Sequence, residues 1–321
     1  MTEPLHVVLG AGAVGQTVAQ QLLQRGARVR FVDRKARVDM PGAEVVSGDV
    51  ADLDVARETG KEAHFVYNCL NPPYHRWPSL WPLLEEGAET AAAQNGATLV
   101  TISNLYVYGR TRGVPMREDT PQNAHTAKGR VRAKMDAQAM AAHQAGRFPV
   151  VILRASDFVG PKARNAMLGS PVAERIVAGK SPQFIGNPDM RHSYTYVPDV
   201  ARAMIHLAQR EEAWGETWHV PSPEAESSRT VIHRMCEIAG ERPRLQVMPK
   251  FLLWLTSLVS PMIREVREMA YQFHEPFLLD DTKCRAAYPE LAPTPLEDAL
   301  QATIAWFRDN PPQLPQPGRS Y

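Results

Sequence analysis

The sequence predicts an α/β protein: a doubly wound parallel sheet with a smaller, mainly C-terminal lobe. Three observations predict it. Apolar runs of strand length alternate with helical stretches from residue 5 to residue 155. Such alternation requires parallel strands with helices on both faces. The turn Gly10-Ala11-Gly12-Ala13-Val14-Gly15 stands between the first strand and the first helix, and an acidic residue, Asp33, closes the second strand.

The elements follow in order. Residues 5–9 (LHVVL) read as a buried strand. Val14, Val18 and Leu22 then recur at helical spacing, with Ala19 and Leu23 beside them, up to Gly26. Strands are expected at 28–33, 44–46, 64–70, 97–103 and 149–155, and helices at 79–95 and 128–146. Beyond residue 160 short helices and Gly/Pro-rich loops take over. An amphipathic helix is marked by Val197, Val200, Met204 and Leu207, and a strand-like return falls near 217–220. Further helices open after the polar stretch 222–229 and cover 297–309. Residues 1–160 are thus expected to form a nucleotide-binding domain. Residues 161–309 supply most of a substrate lobe, those near 190–220 return to the first domain, and 310–321 form a Pro-rich flexible tail.

Composition excludes several classes. The 321 residues carry 36 Lys+Arg and 35 Asp+Glu, a net charge of +1, which supports no nucleic-acid or anionic-membrane partner. Cys69, Cys236 and Cys284 lie far apart with no CxxC pair, and the histidines form no HExxH, so neither a metal site nor a disulfide framework is expected. The apolar stretch 251–263 is too short to span a bilayer and reads as a buried helix, so no stable membrane insertion is expected. The N-terminus shows no signal-peptide pattern, which makes a cytoplasmic location the expectation.

The glycine turn carries the clearest chemistry. Gly10 permits the tight turn, Gly12 lets the backbone approach a pyrophosphate, and Gly15 lets the helix pack closely on the sheet. The helix start at Ala13 and Val14 offers N–H donors to phosphate. Asp33, 18 residues after Gly15, is placed to accept from the ribose hydroxyls of NAD. Arg34, Lys35 and Arg37 follow and are able to hold the extra phosphate of NADP instead. The carboxylate tips the reading toward NAD.

Four more motifs stand in order: Gly48-Asp49-Val50-Ala51-Asp52, Ser103-Asn104-Leu105-Tyr106-Val107-Tyr108-Gly109, Leu153-Arg154-Ala155-Ser156-Asp157-Phe158-Val159-Gly160-Pro161 and Tyr194-Thr195-Tyr196-Val197-Pro198-Asp199-Val200-Ala201. With them the chain resembles the extended short-chain dehydrogenase/reductases, the NAD-dependent epimerase/dehydratase group, over about residues 5–310. The resemblance implies a Rossmann-type domain, NAD or NADP as cofactor, and a small-molecule substrate reacting at a carbonyl or alcohol carbon. It implies adenine contacts at Asp49 and Val50. It runs the loop Cys69-Leu70-Asn71 past the cofactor's ribose and pyrophosphate, with Cys69 buried rather than reactive. It leaves a homodimer through helices 79–95 and 128–146 open.

The catalytic positions depart from the family's Ser/Thr, Tyr and Lys. Asn104 stands at the Ser/Thr position, with Ser103 one residue earlier. Aligned on Lys134 as the lysine, the tyrosine position holds Arg130. An always-charged guanidinium is a poor proton donor. Three readings follow: Tyr106 serves as substitute proton donor, with Arg130 and Lys134 stabilising an oxyanion; the protein binds NAD(P) without chemistry, as a sensor or scaffold; or Arg130 and Lys134 bind an anionic substrate for epimerisation or dehydration. Asp157, Arg191 and His192 are further substrate-pocket candidates.

Overall fold

The computed structural model describes residues 3–35, 38–249, 251 and 261–312. Arg37, most of the apolar stretch 251–263 and residues 313–321 of the tail lie outside the described residues.

Seven strands form one parallel sheet. Strands β1 (Leu5–Leu9), β2 (Arg28–Asp33), β3 (Glu44–Ser47), β4 (Ala63–Asn68), β5 (Thr98–Asn104) and β6 (Val150–Ala155) lie in the order 3-2-1-4-5-6, and a last strand, Glu216–His219, pairs with β6. Every residue of β1 and β6 is buried, as expected of strands covered on both faces. Alternate side chains serve the two covers. Val8, Val100, Val151 and Leu153 pack with Val18 and Leu22 of α1 (Ala13–Gln24) and with Val200 and Met204 of the helix Val197–Ala208. Val7, Leu99, Val150 and Ile152 pack with Ala88, Ala91 and Ala92 of α3 (Trp77–Ala93) and Ala139 and Ala142 of α4 (Ala127–Gln144). The strand order reverses between β1 and β4, and ligands of such sheets bind at the strands' carboxyl ends there.

The sequence periodicity missed α2 (Leu53–Thr59), a short helix capped by the Asp52 side chain on the Asp54 N–H. It missed three short strand pairs as well. Asp157–Val159 runs parallel to Tyr194–Tyr196, Gln183–Ile185 parallel to Gln246–Met248, and Arg191–His192 antiparallel to Glu226–Ser227. Strands of two or three residues are too short to show a period. The C-terminal elements bury their own apolar cluster, in which Val231, Ile232 and Met235 of the helix Ser228–Ala239 meet Leu300, Ile304 and Phe307 of Leu296–Asp309. The expected strand 64–70 ends at Asn68, where the chain turns out over the sheet edge.

Candidate active site

A cleft of about 390 Å³ opens at the switch point, running from the carboxyl ends of β2 and β3 past β1 and β4 to β5 and β6. Its first half is backbone-built. Gly10 has φ +103°, and its N–H donates to the Val32 carbonyl at 3.0 Å. A Cβ on Gly15 would stand 1.9 Å from the Gly10 carbonyl oxygen, whereas a Cβ on Gly12 would meet nothing within 4 Å. Gly15 is therefore required by packing, and Gly12 keeps open a space that a pyrophosphate fits. No side chain caps the start of α1, and its first turn holds no acidic residue, so its N–H groups and positive end are left for an anion.

Asp33, Arg34, Asp49 and Val50 line the same end. The Asp33 carbonyl accepts the Gly48 N–H at 3.3 Å, and Asp49 Oδ1 accepts the Ala51 N–H at 3.1 Å. Cys69, Leu70 and Asn71 form the opposite wall. Cys69 is buried, as expected, and burial pushes its thiol far above its ordinary range, which keeps it protonated near neutral pH. Lys162, which the motif reading passed over, also lines the cleft; its ammonium bonds the Gln20 side chain on α1.

The second half is side-chain-built. Asn104 Oδ1 accepts the Tyr106 N–H at 3.1 Å and holds the turn Leu105–Tyr108 that follows β5. The Tyr106 and Tyr74 hydroxyls lie 3.0 Å apart. Burial, then the neighbouring Tyr74 phenol and Asp157, keep Tyr106 well above an ordinary phenol, and burial lifts Tyr74 to about 12. Both phenols therefore stay protonated near neutral pH: each can donate a hydrogen bond, and neither can act as a base.

Ser103 is tied into a buried network. Its Oγ donates to Asp136 Oδ1 at 2.8 Å, and Arg154 donates Nε and Nη2 to Asp136 Oδ2 at 3.1 and 2.8 Å. Arg154 Nη1 donates to the Tyr108 hydroxyl at 2.7 Å. His219 Nδ1 lies 2.8 Å from the Asp280 carbonyl, which only accepts, so Nε2 accepts from Tyr108 at 2.7 Å. That assignment needs a neutral imidazole, in keeping with burial lowering His219 to about 4. The network locks the ends of β5, α4 and β6 together.

The expected basic pair is corrected. Arg130 and Lys134 are exposed and lie outside the cleft lining. The inward face of α4 carries Lys128, Arg132, Met135, Asp136 and Ala139. A shift of two positions turns a side chain about 200° around a helix, enough to exchange the two faces. The inward pair at a spacing of four is thus Lys128 and Arg132. Lys128 is buried and ion-paired with both Glu265 and Glu268 of the helix Pro261–Met269. Arg132 is buried and lines the cleft. Its guanidinium lies 4.3 Å from the Trp81 ring centre and 5.5 Å from that of Trp77. Nη2 donates to the Ile102 carbonyl at 3.1 Å, while Nε and Nη1 have no partner among the described residues. Ala139 and Ala142 pack against the sheet on this same face, and Gly129 lets the helix start approach the Tyr106 carbonyl.

Of the remaining pocket candidates, Asp157 lines the cleft and Arg191 does not. The Arg191 side chain is half exposed, donating Nε to the Ala225 carbonyl at 3.2 Å with Glu224 3.6 Å away, because its strand lies at the lobe's surface. His192 is buried behind Asp157, its Nε2 2.7 Å from Asp157 Oδ2.

A glycine turn at the switch point, an open cradle above it and an acidic residue closing β2 define a dinucleotide-binding protein of the doubly wound class. The model of the NAD dependent epimerase/dehydratase family matches residues 6–220, and the chain belongs to that family. It is 24% identical to the mouse (Mus musculus) sterol-4-alpha-carboxylate 3-dehydrogenase, decarboxylating, over 286 residues, covering 80% of this chain and 77% of that one. It is 21% identical over 329 residues to the UDP-N-acetyl-alpha-D-glucosaminuronate decarboxylase of Bacillus cytotoxicus, covering 94% and 96%. Its fold superposes on the UDP-glucuronic acid 4-epimerase of Bacillus cereus with a TM-score of 0.77 at 16% identity, covering 95% of this chain and 99% of that one. Among the described residues no helix is long and apolar enough to cross a membrane.

Proposed function

We propose that the protein is an NAD-dependent oxidoreductase that acts at an alcohol or carbonyl carbon of a small molecule. The observation that carries the reading is the continuity of the cleft: one channel joins the open space over Gly12, beside Asp33, to the buried edge of Arg132 and to Asn104 and Tyr106. Bound NAD would accept or return a hydride there. Gly10, Gly12 and the N–H groups of Ala13, Val14 and Gly15 would hold the pyrophosphate, with Lys162 as a neighbouring cation. Asp33 would take the adenosine ribose hydroxyls, and its negative charge favours NAD over NADP. Asp49, Val50, Leu70 and Asn71 would frame the adenosine and the ribose.

Arg132 would occupy the role the family gives its lysine, donating its two unpartnered N–H edges to the ribose on the nicotinamide side. As a guanidinium it orients without exchanging a proton. Asn104 and the Tyr106 hydroxyl would donate to the reacting oxygen. The name of the sterol relative, a 3-dehydrogenase of a 4-carboxylate, supports chemistry at a carbinol carbon next to an acidic group, without naming this chain's substrate.

Calorimetric titration with NAD+, NADH, NADP+ and NADPH at one salt concentration tests the reading. Micromolar binding of the NAD pair, at least tenfold tighter than the NADP pair, is the expected result. Binding of none of the four would end it. Tight NAD binding with no hydride transfer to any carbonyl substrate would instead favour a sensor or scaffold, a role consistent with the ion-paired Lys128 at the inward α4 position.

A further inference from the structure

The inward face of α4 offers no free proton-transfer group: Lys128 is engaged by two carboxylates, Asp136 is held by Arg154 and Ser103 outside the cleft lining, and Arg132 is permanently charged. A reaction at a carbinol carbon still has to move a proton. Three carboxylates line the cleft, and Asp33 and Asp49 belong to its adenosine end, at and just beyond the ends of β2 and β3. The third is Asp157, at the far end. Asn104 pairs in register with Ala155, so Asp157 follows two residues beyond the partner of the residue that faces the reacting oxygen. We propose that Asp157, positioned by His192, is the catalytic acid and base of this protein, a step that rests on the oxidoreductase reading above.

The construction behind Asp157 is specific. His192 is buried and its ring is stacked between Phe273, 4.9 Å away at 18°, and Phe277, 5.3 Å away at 21°. The clamp aims Nε2 at Asp157 Oδ2 over 2.7 Å. Phe277 reaches the cleft wall beside Asp157, whereas His192 stays behind it. A lone surface carboxylate needs no such support. A general base does, because its rate depends on holding one oxygen within hydrogen-bond reach of the reacting group. Among the described residues, the phenols of Tyr74, Tyr106, Tyr194 and Tyr271 interact with the Asp157 charge, and all are raised by burial, while Arg132 and Lys162 are the cations of the same cleft. None of these phenols accepts a proton near neutrality, which leaves that step to the Asp157 carboxylate, held in place by His192.

The step balances. In oxidation the Asp157 carboxylate takes the hydroxyl proton, the carbinol C–H bond breaks with its electron pair passing as hydride to the bound nicotinamide, and the C=O double bond forms. The proton rests on the Asp157 carboxyl, whose Oδ2 keeps its bond from the His192 N–H, until it leaves to solvent. Reduction runs the same path backwards, with Asp157 protonated at the start.

The test uses the whole chain with NADH and two probe carbonyls, 9,10-phenanthrenequinone and cyclohexanone, followed by NADH absorbance, with NADH affinity measured separately by calorimetry. Asp157→Asn is expected to lower kcat at least a hundredfold while NADH affinity stays within twofold. Asp157→Glu, which restores a carboxylate, should recover at least a tenth of the wild-type kcat and guards against loss of folding in the amide variant. His192→Phe keeps the aromatic stack and removes the hydrogen bond; it should lower kcat five- to twentyfold and move the acidic limb of the pH profile of kcat with KM unchanged. A kcat for Asp157→Asn within threefold of wild type overturns the proposal and leaves the cofactor reading standing. Wild-type protein that binds NADH but reduces neither probe also overturns it. Failure of the wild type to bind NADH removes the underlying reading and the proposal together.

Discussion

The two ends of the cleft are built on different principles. At the glycine-turn end the backbone makes the lining: a glycine turn, an uncapped helix start and strand ends, with Asp33, Arg34 and Asp49 as the polar additions. At the far end side chains make it: Arg132 against two tryptophans, paired phenols, and Asp157 backed by a stacked histidine. Backbone geometry is dictated by a few residue types at fixed spacing. A side-chain site depends on which face of a helix points inward, and on partners tens of positions away in the chain. The first kind tolerates no change at its glycines, and the second can exchange its chemistry while the fold persists.

The sharpest way to break this contrast is at the turn itself. Gly12→Val places its Cβ where nothing lies within 4 Å, so the fold should survive with Tm within about 2 °C, an open site adding almost no strain. NADH affinity should fall at least a hundredfold in calorimetry, because the side chain fills the space over the helix start. Gly15→Ala should do the opposite and lower thermal stability before it affects anything else, since its Cβ collides with the Gly10 carbonyl oxygen at 1.9 Å. If Gly12→Val binds NADH normally, the cradle is not the cofactor site.

Next in size is a cost stored behind the cleft, beside Arg132. Glu85 is fully buried on α3, accepts from Asn68 Nδ2 at 3.0 Å, and is pushed up to about 8 by burial, with Arg132 opposing. An unfolded glutamate loses its proton near 4.5. Between those values the unfolded chain is the less protonated, so stability falls as pH rises. Glu85→Gln should therefore stabilise by up to about 3 kcal/mol at pH 7 and by almost nothing at pH 4.5, measured by urea unfolding. A gain that is the same at both pH values would mean that Glu85 is not neutral in the folded protein.

The buried histidines should give the reverse dependence. Burial lowers both His6 and His219 to about 4, against 6.5 when unfolded. The unfolded chain then binds more protons from pH 6.5 down to 4, and stability falls as pH drops through that window. At pH 5 each should cost up to about 2 kcal/mol. His219→Gln should flatten about half of that slope, though it also removes the acceptor for Tyr108 and lowers stability at pH 7. A slope unchanged by His219→Gln would assign the acid sensitivity elsewhere.

Much of the lining at the glycine-turn end was legible in the sequence because its determinants are local. Gly10, Gly12 and Gly15 stand next to one another, and Asp33 ends a strand recognisable from its own apolar run. Most elements of the sheet were legible for the same reason. The far end was legible in inventory but not in orientation. Asp157 and His192 stand out in the sequence as separate pocket candidates, but only the pairing of Asp157–Val159 with Tyr194–Tyr196, strands too short for a period, brings them together. Arg191 is their neighbour in sequence and points away. The register of α4 was missed because the stretch 128–136 alternates charge and shows little apolar periodicity; its inward face holds a lysine, an arginine and an aspartate whose partners come from helix Pro261–Met269, β5 and β6.

The smallest effects test that register directly. Arg132→Met removes a guanidinium that lines the cleft and should weaken NADH binding about tenfold, even though the methionine can still fill the space between Trp77 and Trp81. Arg130→Ala and Lys134→Ala remove exposed side chains on the opposite face, and each should leave NADH affinity and Tm within error of wild type, in line with surface substitutions elsewhere. The contrast matters more than any one value. Equal losses at positions 130 and 132 would require α4 to rotate on binding. A helix whose inward side is fixed by the Asp136 network with Arg154 and Ser103 has no freedom to do so.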